Sequence, residues 1–107
     1  MNLPGDATGN ALREYVANGS NLDKPMNIEF FLSIPSVGIG DIVSNDKRLS
    51  DFEMSIEHDQ ESNEWTCYCE ITVIPTYANI TKIEALLGRV AEEYGAHYDG
   101  FGSFGNA

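Results

Sequence analysis

Residues 26–34, Met26-Asn27-Ile28-Glu29-Phe30-Phe31-Leu32-Ser33-Ile34, decide the fold. Met26, Ile28, Phe30, Leu32 and Ile34 alternate with Asn27, Glu29, Phe31 and Ser33, the period of a strand with one buried face. Pro35 closes the run, because it has no N–H to give to a ladder. The same period returns twice. Phe52, Met54, Ile56 and His58 alternate with Glu53, Ser55, Glu57 and Asp59, and Trp65, Cys67, Cys69, Ile71 and Val73 alternate with Thr66, Tyr68, Glu70 and Thr72. The polar run Asp59–Glu64 between them reads as the turn of a β-hairpin, and Pro75 ends the second strand.

Between and beyond these strands the period lengthens. Ser36 can cap a helix carrying Val37, Ile39, Ile42 and Val43 in the stretch up to Lys47, although Gly38 and Gly40 each weaken it by up to about 1 kcal/mol. Ile80, Ile83, Leu86, Leu87, Val90, Ala91 and Tyr94 make one apolar helical face over 79–94, with Asn79 as expected N-cap and Gly95 as stop. A last strand runs from His97 to Phe101. A further helix precedes everything, over residues 8–17, with Ala11, Leu12, Tyr15 and Val16 as its stripe and Asn18-Gly19-Ser20 as its end.

The resulting order, β-α-β-β-α-β after an N-terminal helix, predicts an α+β fold, a ferredoxin-like sandwich. Right-handed crossovers and the short hairpin give an antiparallel sheet in the order 4-1-3-2 with two helices on one face. The 107 residues fit one domain, 1–107, with 1–9 and the Gly-rich stretch 102–107 expected to be flexible.

Seventeen acids face six bases, a formal net charge of −11. Such a field repels nucleic-acid phosphates and anionic lipid and attracts basic surfaces, so direct nucleic-acid or membrane binding is not expected. The same charge also serves plain solubility. A composition that is 42% hydrophobic excludes disorder. With no signal peptide and no apolar run near the ~18 residues of a membrane span, a cytoplasmic protein is expected. Cys67 and Cys69 share one strand face about 6–7 Å apart, too far for an unstrained disulfide, and read as two packed thiols. Neither His58 nor His97 has the companions of a zinc site, so no metal or cofactor is expected. No nucleophile elbow, phosphate-cradling loop or H-E-x-x-H is present. Gly100, Gly102 and Gly105 follow a strand but lead into no helix, so they form no dinucleotide site. No set of residues fills nucleophile, base and orienter roles together, and no catalytic activity is expected.

The registers opposite the buried ones define a working surface. Glu29, Phe31, Tyr68 and Glu70 fall on the two central strands, flanked by Glu53 and Glu57 of the second strand. Aromatic rings in an acidic field suit a basic, Arg-rich protein through carboxylate pairing and cation–π contact. Sheet-type RNA binders place Lys and Arg around such rings, so the sign here argues against RNA. The N-terminal helix could instead cover Phe31 and Tyr68 as ordinary core. Oligomeric state is left open.

Asn18-Gly19-Ser20-Asn21, the strand Asn27-Ile28-Glu29-Phe30-Phe31-Leu32-Ser33, and Ala91-Glu92-Glu93-Tyr94-Gly95-Ala96-His97-Tyr98-Asp99-Gly100-Phe101-Gly102 resemble the regulator of ribonuclease E activity B (RraB) family. Its members show a helix, a G-S-[DN] turn, such a strand, and a long helix leading to Y-D-G-W-G. The resemblance implies a ferredoxin-like fold, no catalysis, and binding to ribonuclease E that inhibits its endonuclease and alters RNA turnover. It adds Asp99 and Phe101 to the expected partner-binding residues, with Phe101 standing where the family has Trp. The acidic C-terminal tail of some members is replaced here by the Gly-rich end. Two other classes fit a small acidic domain: an immunity protein neutralising a basic nuclease toxin, or a sensor holding a small molecule in a pocket beneath the sheet.

Overall fold

Four residues, Gln60 to Asn63, join strand β2 (Glu53–Asp59) to strand β3 (Glu64–Val73), and this short loop fixes the register of the sheet. Asp59 turns the chain by accepting a hydrogen bond from the Glu61 N–H at 3.0 Å, and Asn63 takes the left-handed conformation at φ 57°. Asp59 is thereby set opposite Glu64, and Glu53 opposite Glu70. A slip of one residue would send every side chain to the other face.

The computed structural model describes residues 3–106; positions 1, 2 and 107, part of the two expected flexible ends, lie outside the described residues. Helix α1 (Ala7–Ala17) precedes strand β1 (Met26–Ile34), helix α2 (Val37–Ser44) and a single 3₁₀ turn at Lys47–Leu49; helix α3 (Tyr77–Glu93) and strand β4 (His97–Gly102) follow the hairpin. The strands form one antiparallel sheet in the order β2-β3-β1-β4, the order expected. Among the described residues the fold is thus α+β, three helices on a four-stranded antiparallel sheet.

The core lies between the sheet and the helices. Met26, Ile28, Phe30, Leu32 and Ile34 of β1 and Cys67 and Cys69 of β3 are buried against Val43 of α2 and Ile80, Leu87, Val90 and Ala91 of α3. Phe30 is its centre, with the rings of Phe52, Tyr98 and Phe101 at 6.4, 6.4 and 5.7 Å. Both thiols are free and buried, as the sequence reading required. Their mutual hydrogen bond and burial push the Cys69 thiol up.

The ends of the elements depart from expectation in instructive ways. Ser36 does cap α2, its hydroxyl accepting from the Ile39 N–H at 3.3 Å, but the helix stops at Ser44 instead of reaching Lys47. Gly40 lets it sit close to the sheet, since a Cβ there would come within 2.6 Å of Ile34 and 2.7 Å of Ile56. The N-cap of α3 is Thr76, not Asn79: the Thr76 hydroxyl accepts from the Asn79 N–H at 3.1 Å, while the Asn79 side chain donates to the Ile74 carbonyl at 2.9 Å. Helix α1 starts at Ala7, capped by the Asp6 carboxylate. It packs on α3, with Thr8 donating to Glu84 at 2.6 Å and Tyr77 donating to Asp6, and so leaves the other sheet face uncovered. Glu84 also accepts from the Tyr98 hydroxyl at 2.6 Å, so one carboxylate joins α1, α3 and β4.

The 3₁₀ turn is tied to the end of α3 through Asp46, whose side chain is only 8% exposed. Asp46 accepts from the Arg48 side chain and backbone and from the Tyr94 hydroxyl, and these bonds, Arg48 first, hold its carboxyl well below the ordinary 3.8. The folded chain therefore binds this proton less readily than the unfolded one, so the stabilisation is full above the ordinary value and is lost as pH falls below it. Stability measured by urea melts should drop between about pH 4 and about pH 2, and Asp46→Asn should flatten that slope. An unchanged slope would show that the acid response lies elsewhere. Among the described residues no helix is long and apolar enough to cross a membrane.

Candidate functional site

The face of the sheet turned away from the helices is built from alternate residues of three strands, and its register places like charges side by side. Glu29 of β1 stands opposite Glu70 of β3, which stands opposite Glu53 of β2. Adjacent strands lie about 4.8 Å apart, so three carboxylates form a row across the sheet. Like charges directly opposite each other destabilise a sheet by roughly 0.2–1 kcal/mol a pair. No Lys or Arg is engaged with the row; the two ion pairs among the described residues both belong to Arg48.

The next row is aromatic. Phe31 stands opposite Tyr68, and their rings meet edge to face with centroids 5.4 Å apart. Beyond it, Glu57 stands opposite Thr66. Tyr68 is half-buried, and this burial, followed by the charges of Glu57 and Glu29, raises its hydroxyl above the ordinary value of 10.0. The hydroxyl is thus a standing donor within a field of carboxylates. On the other side the Phe31 ring lies over Gly102, where a Cβ would come within 3.3 Å of it.

Of the eight residues named from sequence, Glu29, Phe31, Glu53, Glu57, Tyr68 and Glu70 come together on this face. Phe101 does not. It pairs with Phe30 in the β1–β4 ladder and packs on that ring at 5.7 Å, half-buried against the core. Asp99 stands exposed on the outer strand β4, in the irregularity opposite Phe31 and Leu32. Asp99-Gly100 thus forms a bulge within β4, with Gly100 at φ 124°, a conformation that favours glycine. The extra residue shifts the parity of the strand, so Tyr98 and Phe101, three apart, both face the core.

One residue of the face was missed. Phe104 is fully exposed and, with Asn27, Glu29, Phe31, Glu70 and Ser103, lines a cavity of about 300 Å³ on this surface. Within the Gly-rich stretch, residues 103–106 hydrogen-bond back to the chain before and along β1. The Asn106 side chain donates to the carbonyls of Asn21, Lys24 and Pro25 and accepts from the Asn21 N–H, all within 3.2 Å, while Ser103 donates to the Asn27 carbonyl. Gly105, at φ 80°, passes so close to Ser20 that a Cβ would come within 2.4 Å of its hydroxyl. Asn106→Ala is expected to cost about 1 kcal/mol and to loosen residues 103–106. Heteronuclear NOE values at 103–106 equal to those of the unaltered protein would contradict the anchoring.

Among the described residues no group of three or more His, Cys, Asp or Glu side chains is arranged to hold a metal ion. The arrangement offers recognition chemistry instead: carboxylates for guanidinium or ammonium groups, and ring faces for their flat or apolar surfaces. Helices on one side of an antiparallel sheet and an open carboxylate–aromatic face on the other define a small α+β protein whose exposed sheet face is anionic. The family model described as Regulator of ribonuclease activity B matches residues 5–103, and the chain belongs to that family. No curated protein gives a significant match to the chain.

Proposed function

We propose that this protein is a non-catalytic, cytoplasmic regulator that inhibits the endonuclease activity of ribonuclease E through protein–protein contact, using the open face of a ferredoxin-like sandwich. The observation that carries the reading is the Glu29–Glu70–Glu53 row beside the Phe31–Tyr68 pair. Its charge and its rings suit a basic, Arg-bearing segment of the partner. The membership in a family of ribonuclease-activity regulators supports the choice of enzyme. Like-charge repulsion along the row is relieved once cations dock, so part of the binding free energy comes from removing strain that the free protein carries. Glu57, Asp99 and Phe104 stand around this centre as secondary contacts.

The test is cleavage of a short RNA by purified full-length ribonuclease E with and without this protein. Cleavage that slows as the protein is added, with the protein itself not retained by the RNA, is the expected result. Undiminished cleavage at saturating protein would contradict the assignment.

A further inference from the structure

On the helix side of the sheet lies a larger cavity of about 790 Å³, within the range of small-molecule sites. Its origin is the shortness of α2. Eight residues of helix span about 12 Å, whereas the ten residues of β3 span about 33 Å, so α2 covers only part of the strand it crosses. The uncovered length carries Ile71 and Val73, and Phe52 adjoins it. Opposite, α3 contributes the half-buried margin of its apolar face, Ile83 and Leu86, flanked by Lys82 and Arg89, the four at i+1, i+4, i and i+7. Ile83 and Leu86 remain only half-buried, and Ile74 at the end of the groove is 42% exposed.

The charge of this groove runs against that of the molecule. Of six basic residues in a chain of net charge −11, three line it: Arg48, Lys82 and Arg89. Arg48 is engaged by Asp46 and Glu93, but Lys82 and Arg89 enter no ion pair and no side-chain hydrogen bond among the described residues. Asp51 is the one carboxylate in the lining. Two unpaired cations over an apolar trough, in a chain of net charge −11, match a ligand with the complementary layout.

We propose that this groove binds a small amphipathic carboxylate, its apolar body against Phe52, Ile71, Ile83 and Leu86 and its carboxylate between Lys82 and Arg89. The site lies on the opposite side of the sheet from the recognition face and carries the opposite charge, so it stands or falls independently of the proposed regulatory contact.

Titration of the whole protein with decanoate, 1-decanol and decyltrimethylammonium below micelle formation, followed by isoleucine-methyl NMR, tests the proposal. Saturable shifts at Ile71, Ile74 and Ile83 are expected with decanoate, with affinity at least about 10-fold above that of the other two probes. Lys82→Gln with Arg89→Gln should weaken decanoate about 10-fold or more, while leaving the melting temperature and the decanol titration unchanged. Equal affinity for the three probes would overturn the proposal, as would shifts centred on the Phe31–Tyr68 face or decanoate binding unaffected in the double variant. Preference for an acidic amphipathic peptide over decanoate would assign the groove to a protein partner and overturn it equally.

Discussion

Glu70→Lys is expected to weaken binding to the basic partner by roughly 100-fold and, in the same molecule, to raise stability by about 0.5–1 kcal/mol. The two effects have one cause. Glu70 is the middle carboxylate of the row, opposite Glu29 on one side and Glu53 on the other. A lysine there converts two repulsive cross-strand neighbours into two attractive ones, each worth a few tenths of a kcal/mol. The same lysine faces the partner's cations with the wrong sign, and close charge pairs across interfaces couple by about 1.5–7 kcal/mol. Opposite signs of change in affinity and stability mark residues kept for recognition at a cost to the fold. Urea melts and a binding titration on one preparation check both halves. A variant that loses stability, or keeps its affinity, would contradict the role given to the row.

Phe30→Ala should have the largest effect on the fold itself, a loss of about 3–5 kcal/mol. Phe30 is fully buried on a central strand and holds Phe52, Tyr98 and Phe101 around it. Those three rings come from the approach to β2 and from β4, so a cavity here loosens the packing of both edge strands at once. For a domain whose total stability lies near 5–15 kcal/mol, the variant is expected to be largely unfolded at 37 °C or to melt far below the parent. Phe30→Leu, which leaves a smaller void, should lose less, about 1–2 kcal/mol. Equal melting of the alanine variant and the parent, followed by circular dichroism, would show that the core is organised around another residue.

The grouping of carboxylates and rings on one sheet face is legible in the sequence because it depends on parity and on one loop. Alternation along 26–34 and 65–73 separates Phe31 and Tyr68 from the core, and a four-residue hairpin connection brings Glu53 into line with Glu70. The sheet order followed from the sequence of elements and the handedness of crossovers. What escaped depends on features that break parity or act at a distance. Phe101 enters the expected contacts only through the family resemblance, and the bulge at Asp99-Gly100 turns its ring toward Phe30; an Asp-Gly pair inside an otherwise strand-like run is the available signal for that bulge. The anchoring of 103–106 rests on Asn106 reaching carbonyls more than 80 positions away, which no local pattern announces. Asn79 is a good cap by type, but Thr76, directly after Pro75, is the residue whose hydroxyl meets a free N–H at the start of α3. The groove beneath the sheet arises from α2 ending at Ser44, one turn short of the reading that extends it to Lys47.

Most directly decisive for the central claim is a titration of the purified protein against the non-catalytic C-terminal half of ribonuclease E at low and at moderate salt. Saturable binding that weakens as salt rises is expected, because an open anionic face gains its affinity from charges that ions screen over about 10 Å at 0.1 M. Binding indifferent to salt would contradict the acidic face as the contact, and no binding at either salt would remove ribonuclease E as the partner.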